Sequence, residues 1–300
     1  MSLLVVGSIA IDTVETPWGR QDDLLGGSAS HFSLAARFFT PVRMVSVVGG
    51  DWPQEHTEFL ASRGIDVSGI EVVPTGKSFR WTGRYKPNMN DRETLDIELD
   101  VFGNFQPKIS PEFRRSEYLF LGNAAPSTQL KTLDQVSGRR ICVADTMELW
   151  IQTAHADVLA LLKKIDGLVV NDSEAKMLAD TENLVRAGHH IRKMGPKFVV
   201  IKKGEHGAMF FGEHEAYVLP AFPTEKVIDP TGAGDSFAGG MMGYLAQQGN
   251  FEPETLKTAM AYGVLVASFN VEGFGLMHMQ SITRDDVEAR LHAYKKMLSF

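Results

Sequence analysis

Asp229-Pro230-Thr231-Gly232-Ala233-Gly234-Asp235-Ser236-Phe237-Ala238-Gly239-Gly240 is the stretch on which the reading of this 300-residue chain turns. Gly232, Ala233 and Gly234 carry little or no side chain, so their backbone N–H groups can approach a bulky anion without a steric block. From Ser236 onward Phe237, Met241, Met242, Tyr244 and Leu245 recur at helical spacing, which places the small residues at a helix N-terminus. Unpaired N–H groups and the macrodipole favour negative charge there, and phosphate is the natural guest.

Asp235 sits awkwardly in that picture, because a fixed carboxylate beside an anion-binding loop repels the anion unless its charge has a task. A hydroxyl attacking a phosphoryl group must lose its proton as the new bond forms, and a carboxylate held beside the phosphate can take it. The plainer reading is an acidic residue in a first helical turn, favoured by the dipole, and an isolated Asp would be read that way. Two other glycine loops are excluded by spacing. A P-loop needs a Lys after its glycines and none follows here, while a dinucleotide fingerprint needs a third Gly where Phe237 stands.

The twelve-residue string resembles the signature of the ribokinase-like (PfkB) family of carbohydrate and nucleoside kinases, in which Asp-x-x-Gly-Ala-Gly-Asp supplies an anion hole and a catalytic base. The resemblance implies that Asp235 is the base, that Gly232, Ala233 and Gly234 form the anion hole, and that Thr231, Gly232 and Gly234 face the nucleotide. It also implies ATP and Mg²⁺, with a monovalent cation such as K⁺ held near Asp229 and Thr231 by a loop within 269–275.

Composition narrows the alternatives. Hydrophobic residues make up 44% of the chain, enough for a sizeable core in one large α/β domain or two small ones. A net charge of -7 without a Lys/Arg stripe argues against nucleic acid as a partner. Cys142 is alone, in the apolar run 140–144, so an internal disulfide is excluded and a buried thiol in a reducing cytoplasm is expected. The apolar start at 2–11 is short, lacks a basic leader and is broken by Gly7 and Asp12, which reads as a strand rather than a signal peptide, and no run is long enough to span a membrane. The histidines show no paired metal spacing, and no Gly-x-Ser-x-Gly elbow points to a hydrolase.

Leu3 to Gly7 is a continuous apolar run of the kind found in central strands covered on both faces, and Asp12 follows just past its end, either as a turn residue or as a grip on substrate hydroxyls. Gly26-Gly27-Ser28-Ala29-Ser30-His31 opens an apolar helix and resembles the family's first signature, a Gly-Gly turn that approaches the substrate. The family commonly has Asn where His31 stands, so the substrate contact at that position is altered here.

Phe79 to Tyr85 and Leu95 to Val101 alternate apolar and polar residues around the turn 87–91, predicting an antiparallel hairpin whose apolar face needs a cover. The resemblance implies a β-lid, contributed mainly by about 75–103 with 12–25 as a second contributor, through which a homodimer can form. After Pro107 strands at 118–121, 141–144, 168–170 and 198–201 alternate with helical segments, predicting a parallel, helix-covered sheet. Gly122-Asn123 and Asp145-Thr146 close two of these strands at the expected ligand edge, where loop capping and substrate contact are equally good readings.

Asn171-Asp172-Ser173-Glu174 reads as a helix start with Asp172 or Ser173 as cap, and it also matches the family's Asn-x-x-Glu element, associated with magnesium and phosphate, acting partly through water. Lys203, Gly204 and Gly207 lie in a segment that is either a plain hairpin turn or the family's nucleotide-side turn. With no repeat or linker, the expectation is one α/β ribokinase-like domain over 1–300, a mostly parallel sheet covered by helices on both faces, with a small inserted β-lid. The implied activity is transfer of phosphate from ATP to a hydroxyl of a sugar, polyol or nucleoside, with Asp12, Gly26, Gly27, His31 and Asn123 facing that substrate. The rival reading is a regulator on the same fold that binds nucleotide or metabolite without turnover, to which Asp235 would be of no use.

Overall fold

The computed structural model describes residues 2–299. Thirteen strands lie among them: β1 Leu3–Val6, β2 Ala10–Thr16, β3 Gly19–Gly26, β4 Val42–Gly49, β5 Ile65–Val73, β6 Arg80–Tyr85, β7 Arg92–Glu98, β8 Tyr118–Leu121, β9 Ile141–Asp145, β10 Gly167–Asn171, β11 Phe198–Lys202, β12 Ala208–Phe211 and β13 Ala216–Leu219. Nine form a sheet in the order β13-β12-β11-β10-β9-β8-β1-β4-β5, and four form a smaller sheet in the order β3-β2-β6-β7.

In the large sheet every pairing from β11 to β5 is parallel, and only β12 and β13 run against their neighbours. The short strands after Pro107 occur where the apolar runs predict them. Continuous apolar runs suit such strands because helices cover both faces. Leu3 and Val5 of β1 turn to a core shared with Phe237, Met241, Leu265 and Tyr294, and Leu4 and Val6 turn to one shared with Leu133, Leu161, Leu178 and Ile191.

The chain runs from β1 outward through β4 and β5, then returns to place β8 on the other side of β1 and continues outward to β11. The crevice between β1 and β8 is therefore the point where strand order reverses, the usual ligand position in an open α/β sheet. Gly7 and Gly122 end these two strands, and a Cβ on either would press on Ser28 Oγ. Ser28 N donates to Ser8 Oγ at 3.0 Å and Ser8 N to Ser28 Oγ at 3.2 Å, seating the helix Ser28–Ala36 over the crevice. Phe32 of that helix stacks on Phe120 of β8 at 4.3 Å, a contact of about 0.5–1.5 kcal/mol beyond its area burial.

Three local expectations are corrected. The helix expected from Ser236 begins at Ala233 and runs to Gln248, because Gly232, at a φ of 72°, turns the chain as its N-cap. Asp12 lies inside β2, not past the end of a central strand. The second strand of the hairpin spans Arg92–Glu98 and stops before Val101, because Asp100 takes a φ of 42° and leads into a short helical turn, Asp100–Gly103. The apolar set therefore divides. Phe79 stacks on Phe102 at 5.7 Å and Leu99 and Val101 pack against the main body, whereas Leu95 and Ile97 remain 39% and 45% exposed.

Candidate active site

Parallel pairing brings the carboxyl ends of β8, β9, β10 and β11 to one edge, so residues far apart in sequence meet there. Asp145 ends β9, Asn171 ends β10 and Lys202 ends β11. Gly232 to Asp235 face this edge. A Cβ on Gly234 would lie 2.6 Å from Lys202 Nζ, so the ammonium rests against the small-residue turn. Gly232 admits no other residue, since its φ is left-handed and a Cβ would overlap the His31 ring.

Asp229 braces the turn from below. Fully buried, it accepts hydrogen bonds from Thr231 N on Oδ1 and Gly275 N on Oδ2, both at 2.8 Å. Ile228 N and Asp229 N donate to Val271 O at 2.7 and 3.2 Å, tying 228–231 to the loop that follows the helix Pro253–Asn270. Asn270 completes the brace. Its Nδ2 donates to Thr231 O at 2.7 Å, which leaves Oδ1 as acceptor for His31 Nδ1 at 2.9 Å and Ser236 Oγ at 3.0 Å. His31, 1% exposed, thus carries its proton on Nδ1, and Nε2 has no protein partner.

The carboxylates concentrate around one ammonium. Burial raises the pKa of Asp235, opposed by Lys202, His31 and Arg92. Burial also raises Asp145 well above the usual carboxylate range and raises Glu174, and in both Lys202 is the largest opposing charge. Asp12 is pushed up to about 8 by burial, with Asp229 and Asp235 adding repulsion and the Gly27 N–H opposing. A Cβ on Gly26 would overlap the Asp12 carboxylate, so the first glycine of the Gly-Gly turn is what admits that side chain. Gly27, at a φ of 92°, precedes the helix carrying His31 and would strike Ser8 and Ile9 with any side chain.

Asn171 and Glu174 form a reciprocal cap: Glu174 N donates to Asn171 Oδ1 at 2.8 Å, and Asn171 N donates to Glu174 Oε2 at 2.7 Å. The cap is therefore Asn171 itself, in place of the expected Asp172 or Ser173, and it fixes Glu174 beside Lys202. Carboxylates in excess of nearby cations suit a divalent ion. Mg²⁺ keeps several waters and takes phosphate oxygens as ligands, so it can be held by one or two side chains acting partly through water.

Other expected residues flank this cluster. Asn123, half-buried just past the end of β8, has its Oδ1 accepting from Trp150 Nε1 at 3.0 Å and its Nδ2 on Met147 Sδ at 3.1 Å. Lys203 starts the turn between the antiparallel strands β11 and β12, its N–H on Gly207 O at 2.7 Å, while Gly204 and Gly207 take left-handed φ of 53° and 84°. The lysine that reaches the turn is its neighbour Lys202. Arg80 pairs with Asp23 at 3.3 Å and Asp51 at 3.6 Å, bracing the small sheet. Two cavities of about 470 and 600 Å³ open beside β5 and share no residue with this cluster.

Lys202, Asn270, Tyr85 and Arg92 are site residues that the sequence did not single out. Tyr85, 6% exposed, meets Thr231 Oγ1 at 3.3 Å across 146 positions of sequence. For Lys202 a signal existed, since it ends a strand aligned with Asp145 and Asn171.

A small-residue turn at the start of a helix, one carboxylate within it and a lysine against it, at the carboxyl edge of a parallel sheet, is the arrangement that suits a phosphate group. The profile of the pfkB family carbohydrate kinases matches residues 2–283. The chain belongs to that family. It is 30% identical over 250 residues to a cytidine kinase of Thermococcus kodakarensis, covering 81% of this chain and 87% of the relative. It is 33% identical over 299 residues to a deoxyribokinase of Salmonella typhi, covering 92% and 94%. Among solved structures, a Burkholderia thailandensis nucleoside kinase in complex with inosine superposes with a TM-score of 0.81 at 20% identity, over 99% of this chain and 98% of that one. A putative ribokinase II from E. coli in complex with ATP and Mg²⁺ gives 0.80 at 19% identity, over 97% and 99%.

Proposed function

We propose that this chain transfers the γ-phosphoryl group of ATP to a hydroxyl of a sugar or nucleoside, with Asp235 as general base. The observation that carries the reading is the contact of Lys202 with the Gly232–Gly234 turn directly beside Asp235. The acceptor hydroxyl gives its proton to Asp235 as its oxygen bonds to phosphorus, and the bond from phosphorus to the bridging oxygen breaks with its electron pair leaving on ADP. The N–H groups at 232–234 and the Lys202 ammonium oppose the charge on the transferring group. Burial helps Asp235 as a base, because a carboxylate whose pKa is raised toward the working pH accepts a proton more readily.

Mg²⁺, when bound, supplies further charge on the phosphates, and Glu174 and Asn171 are the residues suited to hold it, partly through water. Asp12 and the Gly26-Gly27 turn are assigned to the acceptor, Gly204 and Gly207 to the nucleotide side. His31 supports the turn through Asn270, in place of the amide contact usual in the family. The braced loop 229–231 with 271–275 is the proposed K⁺ site, tested by comparing turnover in K⁺ and Na⁺ buffers.

The smaller sheet is assigned as a lid on one domain. Its register sets Leu24, Asp12, Trp81 and Ile97 in one row, and Asp12 lies against the Gly26-Gly27 turn, so the apolar row borders the same pocket. Trp18, 61% exposed at the end of the lid, supports a second copy as a further contact. A single buried thiol, Cys142, supports a reducing cytoplasm. No helix among the described residues is long and apolar enough to cross a membrane.

The deciding experiment is ADP release over a panel of nucleosides, pentoses and polyols. Acceptor-dependent release with a phosphorylated product is expected. ATP binding without turnover on any acceptor would favour the silent regulator.

A further inference from the structure

Arg92 opens β7, directly across from Tyr85 in the hairpin register. Because paired residues share a face, and the Tyr85 hydroxyl meets Thr231 in the anion-binding turn, Arg92 stands on the face of the lid that looks into the pocket. Its guanidinium lies 5.8 Å over the Trp81 ring. It acts electrostatically on Asp12, Asp235 and Glu174, which belong to three different elements of the site.

The hairpin tip fixes this placement. Asn88 Oδ1 accepts from Asn90 N at 3.2 Å and Asp91 N at 3.1 Å, and Lys86 N donates to Asp91 O at 2.9 Å, so the turn leading into Arg92 is internally braced. Asn90 Nδ2 donates to Glu205 Oε1 at 2.8 Å, and a Cβ on Gly204 would lie 3.0 Å from Asn90 Oδ1. The tip thus rests on the turn that follows β11, the strand that carries Lys202.

We propose that Arg92 is a further catalytic residue, a lid-borne guanidinium that contacts the γ-phosphoryl group of bound ATP across the pocket from Lys202. This rests on the phosphoryl-transfer reading above. The charge inventory calls for it: Glu174 and Asp235 already draw on the Lys202 ammonium, and a nucleoside triphosphate brings several further negative charges to that one fixed cation. Lys202 belongs to the sheet and is present whatever the lid does. Arg92 belongs to a strand exposed along its whole length, so its charge reaches the phosphate only with the lid in place. A planar guanidinium also presents paired donors to a phosphate, which a lysine does not.

The test compares wild type, Arg92→Gln and Arg92→Lys. All three should fold, since residue 92 is exposed. In titrations with Mg·ADP and with the Mg-bound imido analogue of ATP, Arg92→Gln should bind the analogue roughly ten- to a hundredfold more weakly while binding ADP as wild type does. In turnover it should lose on the order of 10²–10³ in kcat, with Arg92→Lys between the two. Equal losses for both nucleotides, or none for either, overturn the proposal. So does a variant whose only defect is a raised acceptor KM, because the arginine would then bind substrate. The titrations need no turnover, so a wild type that binds both nucleotides yet phosphorylates nothing defeats the transfer reading while the analogue preference still decides Arg92.

Discussion

The turn at 232–235 and strand β7 are held in place by opposite means. The turn is gripped by buried groups, with Asp229 bonded to Thr231 and Gly275, Asn270 bonded to Thr231 O, and the His31 ring against Gly232. Strand β7 is exposed at every residue and owes its place to its pairing with β6, to the Tyr85–Thr231 contact and to the Asn90–Glu205 bond at the tip. Free energy follows the same division. Displacing a turn braced by buried, hydrogen-bonded groups strands several polar groups at once, whereas lifting an exposed hairpin returns its groups to water. A phosphoryl-transfer site benefits from both, a rigid anion hole for the transition state and a cover that can open for exchange.

The largest effect should come from the turn. Asp235→Asn keeps the shape and removes the base, so turnover should fall on the order of 10²–10⁴ while ATP binding persists. Near-normal turnover would break the assignment. Gly234→Val places a branched side chain where Lys202 Nζ now rests, and kcat should fall roughly 10²–10³. A folded variant with unchanged kcat would show that neither the amide nor the lysine acts there.

Smaller effects should come from the support and the lid. Glu174→Gln should raise the Mg²⁺ concentration needed for half-maximal turnover by roughly tenfold, with the acceptor KM little changed. A change in acceptor KM alone would move Glu174 from the metal to the substrate. Trp81→Ser should weaken acceptor binding and raise ATP hydrolysis without acceptor, and unchanged kinetics would remove the lid from the account.

Asp12 gives the subtlest prediction, through pH. Its carboxyl is raised from 3.8 to about 8 in the folded chain, so the folded state holds the proton more tightly than the unfolded one. That contribution to stability is fully present below about pH 4 and is lost as pH rises through 8. Asp12→Asn has nothing to ionise. Its Tm should gain on that of wild type as pH climbs from 5 to 9, and parallel curves would show that Asp12 titrates normally.

The fold was legible in the apolar runs at 3–6, 118–121, 141–144, 168–170 and 198–201, because a strand covered on both faces leaves a continuous pattern. The anion turn was legible because its residues are contiguous. Arg92, Tyr85 and Asn270 were not, since each reaches the site through a different pairing, and nothing local marks a residue whose partner is 39 or 146 positions away, whereas Lys202 was marked by its place at the end of a strand aligned with those of Asp145 and Asn171. The lid misled in a different way. Alternation at 95–101 predicts one half-buried strand, but the turn at Asp100 sends Leu99 and Val101 to the main core and leaves Leu95 and Ile97 outside.

A crystal structure of Asp235→Asn with ATP, Mg²⁺ and an acceptor identified from the panel tests the proposed site geometry. The γ-phosphate should lie on the N–H groups of 232–234 with Lys202 beside it, and the reacting hydroxyl about 2.6–3.2 Å from the side chain of residue 235. A γ-phosphate bound away from that turn, or an acceptor with no hydroxyl near residue 235, would contradict it.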